Sequence, residues 1–219
     1  MYAEEMGTPT HSSDAITSEQ LLSLGSATLG ESGGAPLHPR IRALWPGAAV
    51  AGPAFTVVCA PGDNLAMHAA VTRAPRGSVL AVSVGDDTVR GYWGEVLTTA
   101  AEVAGIIGLI IDGTVRDLAA LEKHRFPVFA RGVGLRGASK TGPGATGTTV
   151  FLGDVKVAPG DWVVADVDGV VAIPASSLGA CLAAGNARTA KEQAFFEELR
   201  AGATTVGLLG LDVSSIEAH

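Results

Sequence analysis

The stretch that most limits how this chain can fold runs from Gly94 to Asp117, GEVLTTAAEVAGIIGLIIDGTVRD. A glycine precedes a helical run, Glu95 to Ala104, which Gly105 can end. The wholly apolar run Ile106 to Ile111 then has the length and character of a buried strand, and an arginine and a carboxylate close the stretch. With Asp112-Gly113 as a turn and Asp117 in the first turn of a following helix, this is an α–β–α unit. A crossover helix returns the chain to the sheet edge at which it began. The amides around Gly94 and the pair Arg116/Asp117 are therefore both expected beyond strand C-termini, where open α/β sheets bind ligands.

The flanking sequence fits such a sheet. Thr17 or Ser18 can cap a helix carrying Leu21, Leu22 and Leu24, which ESGGAPLHP ends. VAGPAFTVVC (Val50 to Cys59) reads as a strand, Pro61-Gly62-Asp63 as a turn, and Asn64 as the cap of the helix LAMHAAVTR. Ser78 to Val84 and Pro127 to Arg131 are further strands, and the alternation of strands and helices implies right-handed parallel crossovers. Residues 132–147 hold too many glycines for either element and read as an ordered loop. From Thr149 to Pro174, short β-branched runs divided by Pro-Gly-Asp and Asp-Gly predict hairpins, hence a second, meandering sheet. Ser176 or Ser177 then starts a helix to about Arg200. Gly179 and Gly185 weaken it by about 1 kcal/mol each, so it is expected to lean on another surface. The expected organisation is a loose leader over 1–16, a core domain over 17–175 and a helical extension over 176–219.

Composition narrows the function. A net charge of −7 with no run of Lys or Arg argues against a nucleic-acid partner. Hydrophobic residues make up 47% and charged ones only 17%, so part of the surface is expected to be covered by other subunits. Cys59 and Cys181 form neither a disulfide framework nor a thiolate metal motif. The segment MYAEEMGTPTHSSD lacks the apolar core of a signal peptide, and no apolar run approaches the ~20 residues of a membrane span. A cytoplasmic protein with no membrane partner is expected.

Several motifs carry less than they first suggest. Gly132, Gly134 and Gly137 give GxGxxG after a strand, but ASKTGPGATG cannot open the helix that would hold a pyrophosphate. Lys140-Thr141 lacks the glycine of a P-loop, and the Asp166, Asp168, Gly169 series lacks the glutamate of a calcium loop, so a hairpin turn is the better reading. The five histidines form no i,i+4 ligand pair, and His68 reads as a structural or interface residue. Lys140 is the one loop lysine that could form a Schiff base, on little support. Arg116 and Asp117 could be an ordinary surface arginine beside a helix-favouring aspartate. Their place after a buried strand and opposite a second helix N-terminus favours a site instead. Amides there accept a carboxylate, a guanidinium forks onto an oxygen pair, and one Asp with several waters is a shell that Mg²⁺ accepts.

The segments VAGPAFTVVCAPGDNLAMHAAV, GEVLTTAAEVAGIIGLIIDGTVRD, FPVFARGV and VAPGDWVVADVDGVVAIP resemble the family of 4-hydroxy-4-methyl-2-oxoglutarate aldolases, which is also that of the regulator of ribonuclease E activity A. The likeness covers about residues 17 to 212. It implies a β/β/α swivelling-domain-like α/β fold, assembly as a homotrimer or a dimer of trimers, and class II pyruvate aldolase chemistry with Mg²⁺ or Mn²⁺. By resemblance, Asp117 ligates the metal, Arg116 binds the 2-oxo acid and its enolate, and the backbone of Gly94, Glu95, Val96 and Leu97 receives the pyruvate carboxylate. Glu95 stands where the family has a carboxylate touching metal-bound water. Glu192 matches a glutamate that reaches the metal waters from a neighbouring subunit, with Glu197 and Glu198 as substitutes.

The implied reaction cleaves the C3–C4 bond of a 4-hydroxy-2-oxo acid to pyruvate and an oxo compound. Oxaloacetate decarboxylation is implied as a side activity because it generates the same enolate. With no histidine expected in the site, a metal-ordered water beside Glu95 would carry the proton. The alternative is a non-catalytic protein-binding regulator like the ribonuclease E inhibitor, which lacks the long C-terminal helix read here.

Overall fold

The computed structural model describes residues 16–216; the expected leader falls almost wholly outside them. The chain opens with α1 (Ser18–Gly30), started by Thr17 in a capping box with Gln20 and kinked at Gly25. The short strands β1 (Ala35–Pro36) and β2 (Arg42–Ala43) follow, then β3 (Val50–Cys59), α2 (Leu65–Arg73), β4 (Val79–Ser83) and β5 (Arg90–Gly91). Next come α3 (Glu95–Ala104), β6 (Gly108–Val115), α4 (Leu118–His124) and β7 (Val128–Val133). With β12 (Trp162–Ala165) and β13 (Val170–Ile173) from later in the chain, the main sheet runs β1-β13-β12-β3-β4-β6-β7-β2, with β3, β4, β6 and β7 parallel. All four parallel strands point their C-terminal ends to one edge of the sheet, and the segments that follow them at that edge line the site.

Residues 132–147 are more ordered than a loop: they contain β8 (Arg136–Gly137), paired with β5, and β9 (Gly144–Thr146), paired with β3. The expected meander exists, but it is continuous with the first sheet. β10 (Val150–Leu152) and β11 (Val155–Val157) form a small hairpin, while β12 (Trp162–Ala165) and β13 (Val170–Ile173) extend the main sheet through β12 and the first half of β3. The Asp166 carboxylate closes the β12–β13 turn by accepting from the Asp168 amide, and it ties that turn to Ser26.

Strand alternation splits the core into layers. Leu80, Val82, Leu109 and Ile111 face α2, α3 and α4, meeting Met67, Leu97, Ala101 and Leu121. Val79, Ala81, Ile110 and Phe129 face the opposite way, onto Trp45, Leu152, Val163 and Val170. Outside that second layer, α1 and α5 (Leu178–Arg200) cover Val164, Val171 and Ile173. Because both faces of β6 are covered, its residues are buried without alternation, as in other parallel strands.

At Gly185 the surface on which α5 leans belongs to the same chain. A Cβ there would stand 2.7 Å from Leu24 Cδ1, so the missing side chain lets α5 pack against α1 of the same chain. Only the half of α5 beyond Gly185 projects with little cover. It is followed by α6 (Thr205–Leu209) and a segment exposing Leu209, Leu211, Val213 and Ile216.

Candidate functional site

The site is built where β6 gives way to α4. β6 begins two residues later than the apolar run and continues through Asp112 and Gly113, which sit in a β-bulge against β7 and do not form a turn. Asp117 is not in the first helical turn of α4 but at its N-cap, with left-handed backbone angles (φ 62, ψ 36). Few residues other than glycine adopt that conformation, and Asp and Asn do so most readily. The reversal turns the Asp117 carboxylate towards α3: its Oδ2 accepts from the Glu95 amide at 3.1 Å and lies 3.7 Å from Arg116 Nε.

Gly94 makes this approach possible. A Cβ on Gly94 would be 2.3 Å from Asp117 Oδ2, so any side chain there would displace the carboxylate. Gly91 does the same for the arginine, since its Cβ would fall 2.9 Å from Arg116 Cβ and 2.5 Å from the Gly134 carbonyl. The intervening Tyr92 and Trp93 are buried and bonded alongside the end of β6, by Tyr92 N to Thr114 O and by Arg116 N to Trp93 O.

A cavity of about 190 Å³ opens beside these groups. Gly94, Val96, Leu97, Arg116 and Asp117 form one part of its wall, and Asn64, His68, Tyr92, Trp93 and Lys140 a second. The structure thus brings together all but one of the nearby residues singled out from sequence. Glu95 contributes its amide to Asp117, but its side chain lies outside the cavity lining, 58% exposed and 3.6 Å from His124 Nε2. Glu192 is on α5, paired with Arg188 at 2.8 Å, and does not reach this chain's own cavity.

The second wall was not foreseen. His68, read from sequence as structural, lines the cavity, and Asn64 does not cap α2. Asp63 caps it, accepting from the Leu65 amide at 2.8 Å, while Asn64 Nδ2 donates to the Tyr92 carbonyl. The other oxygen of buried Asp63 accepts from Ser139 Oγ and from the Thr141 and Gly142 amides at 2.6–2.7 Å. Burial alone would raise the Asp63 carboxyl, but these four donors outweigh it and hold it well below the usual carboxylate range. Their effect is to seat Lys140, in the middle of the bound loop, at the cavity.

Three buried side-chain atoms of the described chain lack a hydrogen-bond partner, and two of them belong to this wall: Asn64 Oδ1 and His68 Nε2. Burial, and after it the nearby Lys140 ammonium, hold the His68 imidazole below its ordinary pKa. The Tyr92 phenol is pushed up by burial, and its oxygen accepts from the Gly62 amide at 2.6 Å.

A divalent cation fits the acidic side of the cavity through a single protein ligand. Asp117 Oδ2 is engaged by Glu95, which leaves Oδ1 for an ion whose remaining shell is water or ligand oxygen, as Mg²⁺ tolerates. Among the described residues no group of three His, Cys, Asp or Glu side chains could cage a metal.

The model of the RraA-like family, described as Aldolase/RraA, matches residues 13–172. The chain belongs to the Aldolase/RraA family. A relative in Halalkalibacterium halodurans, provisionally named 4-hydroxy-4-methyl-2-oxoglutarate aldolase, is 39% identical over 125 residues, covering 57% of this chain and 60% of that protein. A relative of the same provisional name in Burkholderia multivorans is 34% identical, covering 65% of this chain and 85% of its own length. Among solved structures, Streptomyces coelicolor RraAS2, described as an unusual member of the RNase ES inhibitor RraA family, superposes with a TM-score of 0.71. It is 28% identical, over 83% of this chain and 96% of that one. The family therefore holds both aldolase-named proteins and regulators, and its fold is the layered α/β arrangement described above. No helix among the described residues is long and apolar enough to cross a membrane.

Proposed function

We propose that the chain is a metal-dependent pyruvate aldolase that cleaves 4-hydroxy-2-oxo acids such as 4-hydroxy-4-methyl-2-oxoglutarate to pyruvate and an oxo compound. The observation that carries the reading is the seating of Asp117 against the α3 N-terminus, with Arg116 beside it and both lining a small cavity. Asp117 would hold Mg²⁺ or Mn²⁺, and the ion supplies Lewis-acid stabilisation of the negative charge that develops as the enolate forms.

The chain's own groups divide the remaining work. Of the first-turn amides of α3, that of Glu95 is engaged by Asp117, while Val96 and Leu97, both lining the cavity, have amides that no helical carbonyl can satisfy. These two are suited to the carboxylate of the 2-oxo acid, with the helix N-terminus adding favourable charge. Arg116 presents a planar fork to the 2-oxo oxygen, binding it more strongly as it becomes an enolate. The exposed Glu95 carboxylate is suited to ordering water beside the site. Decarboxylation of oxaloacetate produces the same enolate and is proposed as a side activity.

The reading includes an assembly. Val96 and Val103, 78% and 80% exposed, flank an apolar groove between α2 and α3, and the segment beyond α5 carries its own exposed apolar side chains. Both features support burial against further copies in a homotrimer or a dimer of trimers, with the distal half of α5 carrying Glu192 to a neighbour's metal shell. The long α5 also favours the enzyme over the alternative, a protein-binding regulator.

The deciding experiment is a screen of 4-hydroxy-2-oxo acids for pyruvate release with Mg²⁺ or Mn²⁺, repeated in EDTA. Release that stops in EDTA and returns with added metal is expected; full activity in chelator would remove the mechanism. Arg116→Lys keeps the charge but loses the fork, so kcat/KM should fall at least ~10-fold, on the order of 1.4 kcal/mol. An unchanged value would make Arg116 a surface residue.

A further inference from the structure

The unused part of the site is its second wall. A buried acceptor without a partner costs about 1–3 kcal/mol, and native chains retain one mainly where a partner arrives with a ligand or water. Asn64 Oδ1 and His68 Nε2 are two such atoms, on residues one helical turn apart that line the same cavity as Arg116 and Asp117. Asn64 is only 6% exposed and is fixed through its other amide atom to the Tyr92 carbonyl at 2.8 Å, so its free oxygen is not a side chain that could simply swing into solvent.

The aldolase reading, on which this inference rests, leaves one chemical task without a protein group. Cleavage of C3–C4 requires the proton of the C4 hydroxyl to leave as the C4 carbonyl forms. Among the cavity-lining side chains few could accept it. Arg116 stays protonated and has no lone pair to offer. Asp117 is committed to the cation, and the Glu95 carboxylate is not in the lining. The Tyr92 phenol is fully buried with its oxygen already bonded by Gly62, and Lys140 enters as an ammonium. His68 remains, with Nε2 unengaged.

We propose that His68 is the general base of the cleavage step, taking the C4 hydroxyl proton on Nε2 in the cavity that it lines together with Arg116. With the proton of the neutral ring on Nδ1, Nε2 carries a free lone pair. The hydroxyl proton moves to that lone pair, the O–H electrons form the C4 carbonyl, and the C3–C4 electron pair becomes the enolate of pyruvate. Protonation of the enolate at C3 completes the reaction, so the net change is the transfer of one proton from the C4 oxygen to C3, with no other reagent. Burial and the Lys140 ammonium favour the neutral ring, which is the form a base needs near pH 7. Asp63 supports this arrangement at a distance by bonding the loop that carries Lys140.

Oxaloacetate separates this role from a structural one. Its decarboxylation breaks C3–C4 to the same enolate but releases CO₂ and has no hydroxyl proton to remove. A residue that binds the enolate, the metal or the fold serves both reactions, whereas a base acting at the C4 hydroxyl serves cleavage only. For His68→Gln, the ratio of cleavage to decarboxylation should therefore fall ~100-fold or more, the range of lost general-base catalysis. His68→Ala, which leaves space for a small base, should show the same fall and recover part of the cleavage on addition of imidazole. Thermal melting of both variants checks folding, and the imidazole rescue is read on whichever remains folded at the assay temperature. An unchanged ratio, whether both rates hold or both collapse together, would overturn the base assignment while leaving the aldolase reading in place. Wild-type protein that performs neither reaction would remove the aldolase reading and this assignment with it.

Discussion

Asp117→Ala is expected to lower metal-dependent pyruvate release by about 10³-fold or more, roughly 4 kcal/mol of transition-state stabilisation, while leaving the fold intact. The size of the effect follows from Asp117 being the single carboxylate at the cavity: nothing nearby can replace it, because Glu95 turns its side chain towards His124. The small effect on stability follows from its position. The side chain is 42% exposed, and its ion pair with Arg116 at 3.7 Å is solvent-facing, so little folding energy is lost with it. The left-handed backbone at residue 117 costs an alanine slightly more than an aspartate, about 1 kcal/mol, which amounts to a few degrees of melting temperature. Titration calorimetry with Mn²⁺ should show metal binding lost together with turnover. Asp117→Ala subunits mixed with Glu192→Ala subunits should recover part of the activity, since one interface in the mixture would again combine both carboxylates. Proven subunit exchange without recovery would confine the site to one chain, and an active Asp117→Ala protein would remove the metal assignment altogether.

What could be read from the sequence was what local chemistry decides. α3 begins and ends where Gly94 and Gly105 place it, because a close carboxylate and a left-handed cap each demand glycine. β3 spans the residues read for it, and Thr17 caps α1, since capping boxes and β-branched runs are short-range signals. What could not be read depends on partners far along the chain. Asp112-Gly113 looks like a turn because that dipeptide usually is one. It stays in β6 because Arg40 and Arg131, 72 and 19 residues away, neutralise the buried aspartate. Asn64 resembles an N-cap, but Asp63 takes that role once the 139–142 loop folds onto it. The same loop brings Lys140 to the cavity that Arg116 and His68 also line. One local hint was present: Asn64 and His68 stand one turn apart at the start of a helix that follows a strand, which puts both at the ligand-bearing edge.

The Asp112 network gives the second large effect, on stability. Its carboxylate, only 6% exposed, accepts from Arg131 Nε at 2.5 Å, from Arg40 Nε and Nη2 at 3.1 and 2.9 Å, and from the Gly153 amide at 2.7 Å. It thereby joins β6 to β7, to the segment before β2 and to the β10–β11 turn. Asp112→Asn keeps the volume but turns one acceptor into a donor that faces N–H groups, and it leaves Arg131, 14% exposed, without its counter-charge. Breaking one partner of a buried pair costs about 3–5 kcal/mol. Arg40, 39% exposed, can find water, so a loss near the lower end, about 3 kcal/mol, is expected in urea unfolding. The same network sets an acid limit. Burial would raise the Asp112 carboxyl, but the two guanidinium groups and the Gly153 amide outweigh it and hold the pKa well below the ordinary value. A depressed folded-state pKa contributes stability that is complete above the unfolded value, about 3.9, and is lost as pH falls from there towards the folded value. Wild-type protein should therefore lose stability steadily below about pH 4, and Asp112→Asn, already weaker at pH 7, should lose less over the same interval. Equal acid slopes in the two proteins, or a loss below 1 kcal/mol at pH 7, would mean that the two arginines are held by solvent and not by this carboxylate.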